Sequence, residues 1–90
     1  MDIINFKVTG IVQGVFFRSN TEKKAQELEL FGWVKNDPGN NVSGEAQGEK
    51  EALVKFIAWL SEGPDSANVE EVEVTWGKEE QKCQDFSIRY

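Results

Sequence analysis

The chain has 90 residues, a formal net charge of -6, one cysteine and no histidine. That length supports one small core, read as a single domain over residues 1–90, and the acidic balance argues against nucleic acid or an anionic membrane as a partner. Without histidine, Ser-His-Asp and Cys-His nucleophiles and phosphohistidine intermediates are excluded, and the lone Cys83 can neither close an internal disulfide nor build a zinc cluster.

Phe6, Val8, Gly10 and Val12 alternate with Lys7, Thr9 and Ile11, which predicts a first strand with one core face, ended by Gly14. A first helix is expected over 21–30, with Thr21, Ala25 and Leu28 on one stripe and Ser19 or Asn20 as its N-cap. A strand over 32–37 contains Trp33 and Val34. Pro38, Gly39, Asn40 and Asn41 form a turn cluster, so the strand over 42–48 should return as a hairpin.

Leu53, Phe56, Ile57 and Leu60 recur at helical spacing and predict a second helix over 49–61, stopped by Gly63-Pro64. Val72, Val74 and Trp76 alternate with Glu71, Glu73 and Thr75 as a fourth strand. Phe86, Ile88 and Tyr90 alternate with Ser87 and Arg89 as a short last one. With right-handed crossovers this order places both helices on one face of an antiparallel sheet, an α+β ferredoxin-like sandwich with a short C-terminal strand. Trp33, Trp59 and Trp76 are expected to cover the sheet and helices. The first residues lack the charged and apolar regions of a signal peptide, and no long apolar run occurs, so a cytoplasmic, monomeric chain without a membrane span is expected.

The stretch T-G-I-V-Q-G-V-F-F-R, from Thr9 to Arg18, carries the chemistry. Its glycines let the backbone turn tightly and leave N–H groups uncovered. Amides converging where a helix begins make an anion site. Arg18 adds a planar, permanently charged fork suited to phosphate oxygens. The reading is a phosphate cradle between the first strand and the first helix, a local positive feature on an acidic body. Of Phe16 and Phe17 one should pack in and one out, as core residues rather than substrate contacts.

These residues resemble the acylphosphatase family. The matching pieces are G-I-V-Q-G-V-F-F-R (Gly10 to Arg18), G-W-V-K-N (Gly32 to Asn36), V-S-G-E-A-Q-G (Val42 to Gly48), the Gly63-Pro64…Ala67…Val69 junction and the terminal F-S-I-R-Y, in the family's order. The resemblance implies an enzyme without metal or cofactor that hydrolyses carboxyl–phosphate mixed anhydrides, its partner being a small acyl phosphate. It implies that Arg18 binds the phosphate and that Asn36 orients the attacking water. The backbone of Gln13, Gly14, Val15, Phe16, Phe17 and Arg18 would form the cradle.

Three positions depart from the family's usual pattern. Glu29 stands where many members carry glycine at the end of the first helix, at a cost of about 1 kcal/mol if the backbone there is left-handed. Asp37 follows Asn36 where a hydroxyl or small residue is common, and a carboxylate there would repel phosphate or steer water. The hairpin turn reads Pro-Gly-Asn-Asn rather than Asp-Gly. Arg18 could pair with helix carboxylates, and Glu70, Glu71 and Glu73 could form a solvated surface. Cys83 and Arg89 have the spacing of cysteine-dependent phosphatases, but the residues between them contain no glycine and alternate as a strand. A binding module that recognises a small anion without catalysis is the alternative function, and a ferredoxin-like RNA-binding domain a more distant one.

Overall fold

A computed structural model describes residues 1–14 and 16–90. Its elements run β1 (Asp2–Ile11), α1 (Phe17–Glu27), β2 (Phe31–Asp37), β3 (Asn41–Gly48), α2 (Lys50–Glu62), β4 (Asn68–Lys78) and β5 (Phe86–Arg89). The sheet order is β4-β1-β3-β2-β5. β1 pairs antiparallel with β3 and β4, and β2 antiparallel with β3.

One pairing departs from the expected antiparallel sheet. β5 runs parallel to β2, pairing Val34 with Ile88. The cause is the route of the chain. It leaves β4 at one edge, crosses the open face of the sheet through residues 79–85, and enters β5 from the end where β4 stopped. A strand entered there runs opposite to β4 and therefore parallel to β2.

The alternation in β1 decides which way the sheet faces. Ile4, Phe6 and Val8 are buried toward the helices, where they meet Val34, Val42 and Ala46 from neighbouring strands. Leu53, Phe56 and Leu60 of α2 and Phe17 and Ala25 of α1 close the core. Phe56 lies at its centre, edge-on to Phe6 at 5.5 Å and to Phe86 at 5.9 Å, the offset geometry that aromatic quadrupoles favour. On the other face Ile3 is also buried, and the 79–85 crossing covers that end of the sheet. Gln47, buried in the same place, fixes the crossing: its Nε2 donates to Glu80 O at 2.8 Å, and Lys82 N donates to its Oε1 at 2.9 Å. A buried amide with both ends satisfied costs little and specifies one path for the strap.

The first helix starts earlier and stops sooner than the 21–30 expected, spanning Phe17–Glu27. Its end is a Schellman motif: Leu30 N–H bonds Ala25 O at 2.9 Å, Glu29 N–H bonds Gln26 O at 3.1 Å, and Glu29 is left-handed at φ 57°. A glutamate therefore holds the position glycine would occupy without strain. β4 is longer than expected, and Glu70, Glu71 and Glu73 lie exposed along this edge strand, where like charges oppose pairing with another sheet. Trp59 packs against the core, Trp76 remains 44% exposed, and Trp33 lies under Lys35 and Arg89. Among the described residues no helix is long and apolar enough to cross a membrane.

Candidate active site

The loop after β1 is shaped by two left-handed residues. Gly14 has φ 72° with open space where a Cβ would project, so a side chain there would be strained rather than crowded. Phe16 has φ 60° and ψ 22°, is exposed, and is the N-cap of α1 without a side-chain cap bond. The cap is therefore neither Ser19 nor Asn20. Asn20 lies in the helix, and both its backbone N–H (3.0 Å) and its Nδ2 (2.9 Å) donate to Phe16 O. The helix begins at Phe17 because that ring drops into the core at 1% exposure and packs 5.6 Å from Trp59. Thr21, the expected first helical residue, is instead buried one turn in, its Oγ1 donating to Phe17 O at 2.7 Å. The sequence suggests one ring in and one out; the structure buries Phe17 and leaves Phe16 exposed on the cleft wall, so Phe16 is not the core residue expected. Val15, the remaining loop position, lies outside the described residues.

Arg18 thus sits in the first turn of α1, which contains no acidic side chain. The initial N–H groups of a helix lack intrahelical partners and carry the positive end of its dipole, so a guanidinium beside them concentrates positive potential on an otherwise acidic protein. Among the described residues Arg18 makes no ion pair; its guanidinium lies 5.0 Å from the centre of the Tyr90 ring. The pairing with helix carboxylates is not formed. Arg18 faces a cleft of about 360 Å³ whose walls include Val12, Gly14, Phe16, Ile88 and Tyr90.

Asn36 stands outside that wall, near its end. It pairs with Val42 in the sheet, is exposed, and shares the helix-facing side of β2 with Val34. Continuing the β2–β5 register by one residue sets it alongside Tyr90. The tie between Asn36's hairpin and the loop is Gln13, whose Nε2 donates to Asp37 O at 3.0 Å and to Asn41 O at 2.8 Å. The side chain of Gln13 therefore holds together the two segments that carry Arg18 and Asn36. From sequence only its backbone had an evident role. The glutamine in V-Q-G-V is the visible signal, but its acceptors lie 24 and 28 residues away. Ile88 and Tyr90 are likewise cleft residues that the sequence placed only in a strand.

The other sequence features assemble nothing comparable. Cys83 is half-buried in the crossing, while Arg89 lies on β5 with its guanidinium 4.7 Å from the Trp33 ring, so no loop wraps between them. Among the described residues no group of three or more His, Cys, Asp and Glu gathers at metal-binding distance, the Glu70, Glu71 and Glu73 stretch included. A larger groove, about 600 Å³, lies at the far end of β1 beside Asp2, Lys50, Trp76 and Lys78. There Lys78 is already engaged by Asp2 at 3.6 Å.

Comparison with known proteins bears on the family and the fold. The family model described as Acylphosphatase matches residues 4–88. An acylphosphatase of Thermus thermophilus is 50% identical over 72 residues, covering 80% of this chain and 82% of that protein. One from Coxiella burnetii is 45% identical over 84 residues, covering 93% and 84%. The crystal structure of acylphosphatase from Bacillus subtilis superposes with a TM-score of 0.96 at 33% identity, covering all of both chains. A sequence match across nearly the whole chain and a fold match including the parallel β5 lead to one conclusion: the chain belongs to the acylphosphatase family.

Proposed function

We propose that this acylphosphatase cleaves the carboxyl–phosphate bond of acyl phosphates without a metal ion. Arg18 and the loop amides from Gln13 through Gly14, Val15, Phe16 and Phe17 hold the phosphate, and Asn36 orients the water. The observation that carries this reading is Arg18 in the acid-free first turn of α1, facing a glycine-turned cleft and tied through Gln13 to the hairpin that bears Asn36.

The chemistry suits those groups. An acyl phosphate already has a good leaving group, so the protein has to position and neutralise rather than form a covalent intermediate. The water oxygen attacks phosphorus as the bond from phosphorus to the acyl oxygen breaks. That bonding pair leaves on the carboxylate. An Asn amide can accept a hydrogen bond from water and donate one to phosphate, but it is no base, so the proton passes to a phosphate oxygen. The charge on the phosphoryl oxygens is met by the guanidinium and helix amides, whose orientation is set before substrate arrives. The half-buried, unpaired Cys83 suits a reducing compartment such as the cytoplasm, and the glutamates on the β4 edge suit a monomer.

The two roles separate under competition by inorganic phosphate. Arg18→Gln is expected to lose phosphate inhibition and turnover together. Asn36→Ala should keep phosphate inhibition while turnover falls by about 10²–10³. Equal loss of phosphate binding in both variants would contradict this division.

A further inference from the structure

Two large rings stand in water beside the cleft. Phe16 is 78% exposed and Tyr90 fully so, and both line the cleft that Arg18 faces. Isolated apolar residues on a surface need no explanation; Phe16 differs because its backbone is costly as well. A bulky residue in the left-handed region is disfavoured, and here the two hydrogen bonds from Asn20 to its carbonyl hold it there. That conformation keeps the ring at the cleft while the next residue, Phe17, is buried. Tyr90 is steadied by its contact with the Arg18 guanidinium. Ile88 lines the same cleft, half-buried and packed against the core.

A phosphate group fills only part of about 360 Å³. Phe16, Tyr90 and Ile88 are among the residues lining that cleft, and they offer rings and an aliphatic side chain to whatever the phosphate is attached to. We infer that these three side chains form a subsite for the acyl group, and that it selects aromatic and bulky apolar acyl phosphates over small polar ones such as acetyl or carbamoyl phosphate. The inference rests on the proposed phosphate site at Arg18 and adds to it the class of acyl group received. An apolar acyl group entering the cleft removes two exposed rings from water, whereas an acetyl group leaves both wet.

Binding of non-hydrolysable phosphonates to the intact chain, followed by NMR titration, tests this independently of turnover. The probes are inorganic phosphate, methylphosphonate and benzylphosphonate. The unmodified protein is expected to bind benzylphosphonate roughly tenfold tighter than methylphosphonate, the scale of one well-contacted aromatic group. Because the ratio is taken within each protein, it is insensitive to a general change in phosphate affinity. Phe16→Ala and Tyr90→Ala should each reduce it to about twofold, while Phe16→Tyr should retain it. A ratio near one in the unmodified protein, or one unchanged in both alanine variants, overturns the subsite. If phosphate binds but the ratio is one, the subsite alone falls; if none of the three ligands binds, the phosphate site falls and the subsite with it.

Discussion

The two helices begin in opposite ways, and the contrast locates the chemistry. α2 starts after Glu49, in extended backbone, and places Glu51 in its first turn, so the protein's own carboxylate faces the positive end of the dipole. α1 starts after a left-handed Phe16, carries no acid in its first turn, and has Arg18 there instead. Neither has a side-chain cap bond. At α2 the terminal charge is answered internally and the helix serves packing, burying Leu53, Phe56 and Leu60. At α1 the charge is reinforced, a local cost that makes sense where an external anion supplies the compensation.

The largest effect should come from removing the reinforcement. Arg18→Gln is expected to lower kcat/KM for acyl phosphates by about 10³ or more, with the far-ultraviolet circular dichroism unchanged, because among the described residues the side chain makes no ion pair. A loss below tenfold would mean that the loop amides alone bind the phosphate.

Next comes the tether. Gln13→Ala removes both hydrogen bonds to the β2–β3 hairpin and should cost about 1–2 kcal/mol of stability. Turnover should fall about tenfold because a small displacement between water and phosphate is enough to do so. Gln13→Glu, which replaces the donor with an acceptor facing two carbonyls, should fare no better. Full activity in both variants would show that the loop and the hairpin hold their spacing without it.

Transplanting α2's pattern into α1 sharpens the contrast further. Ser19→Glu puts a carboxylate in α1's first turn. It should weaken inhibition by inorganic phosphate roughly tenfold and stabilise the free protein by up to ~0.5 kcal/mol. Opposite signs are the diagnostic outcome, read by phosphate inhibition and by thermal unfolding without ligand. Unchanged phosphate inhibition would mean that the dipole end of α1 plays no part in binding.

The smallest effect concerns the other end of α1. Glu29 is held left-handed by the Schellman motif, so Glu29→Gly should stabilise by about 1 kcal/mol. For a domain of this size that raises the thermal midpoint by roughly 4–8 °C, with activity unaffected. A lowered midpoint would place the gain in unfolded-state entropy above the relief of strain.

What the sequence made legible follows the range of the forces involved. The core faces of β1 and α2 were readable because alternation and helical spacing are local consequences of burial, and Phe6, Val8, Leu53, Phe56 and Leu60 occupy them as expected, with Ile4 added by a strand that starts earlier. The left-handed backbone at Glu29 was raised only by the family resemblance, which puts glycine there; the residues alone placed Glu29 inside a helix over 21–30. The start of α1 was not readable. G-V-F-F-R looks like loop, and only the burial of Phe17 against Trp59 carries the helix back to it. The ends of β4 were obscured because Asn68, Glu70 and Glu71 are polar residues on an edge strand, paired through β1, which lies far away in sequence. The parallel course of β5 depends on the crossing that Gln47 secures, which periodicity cannot express. For the site, the pieces carrying Arg18 and Asn36 were visible as motifs. Their connection through Gln13 was not, because it joins side chain to backbone across the fold.

The most direct test of the account is hydrolysis of benzoyl phosphate in excess EDTA, comparing the unmodified chain with Asn36→Ala under conditions where both are folded. The account predicts rapid turnover by the unmodified chain and a rate lower by about 10²–10³ in the variant. No turnover from the folded, unmodified chain, with inorganic phosphate still bound, would contradict it and leave an anion-binding module, with the Asp37 carboxylate beside Asn36 the first group to replace.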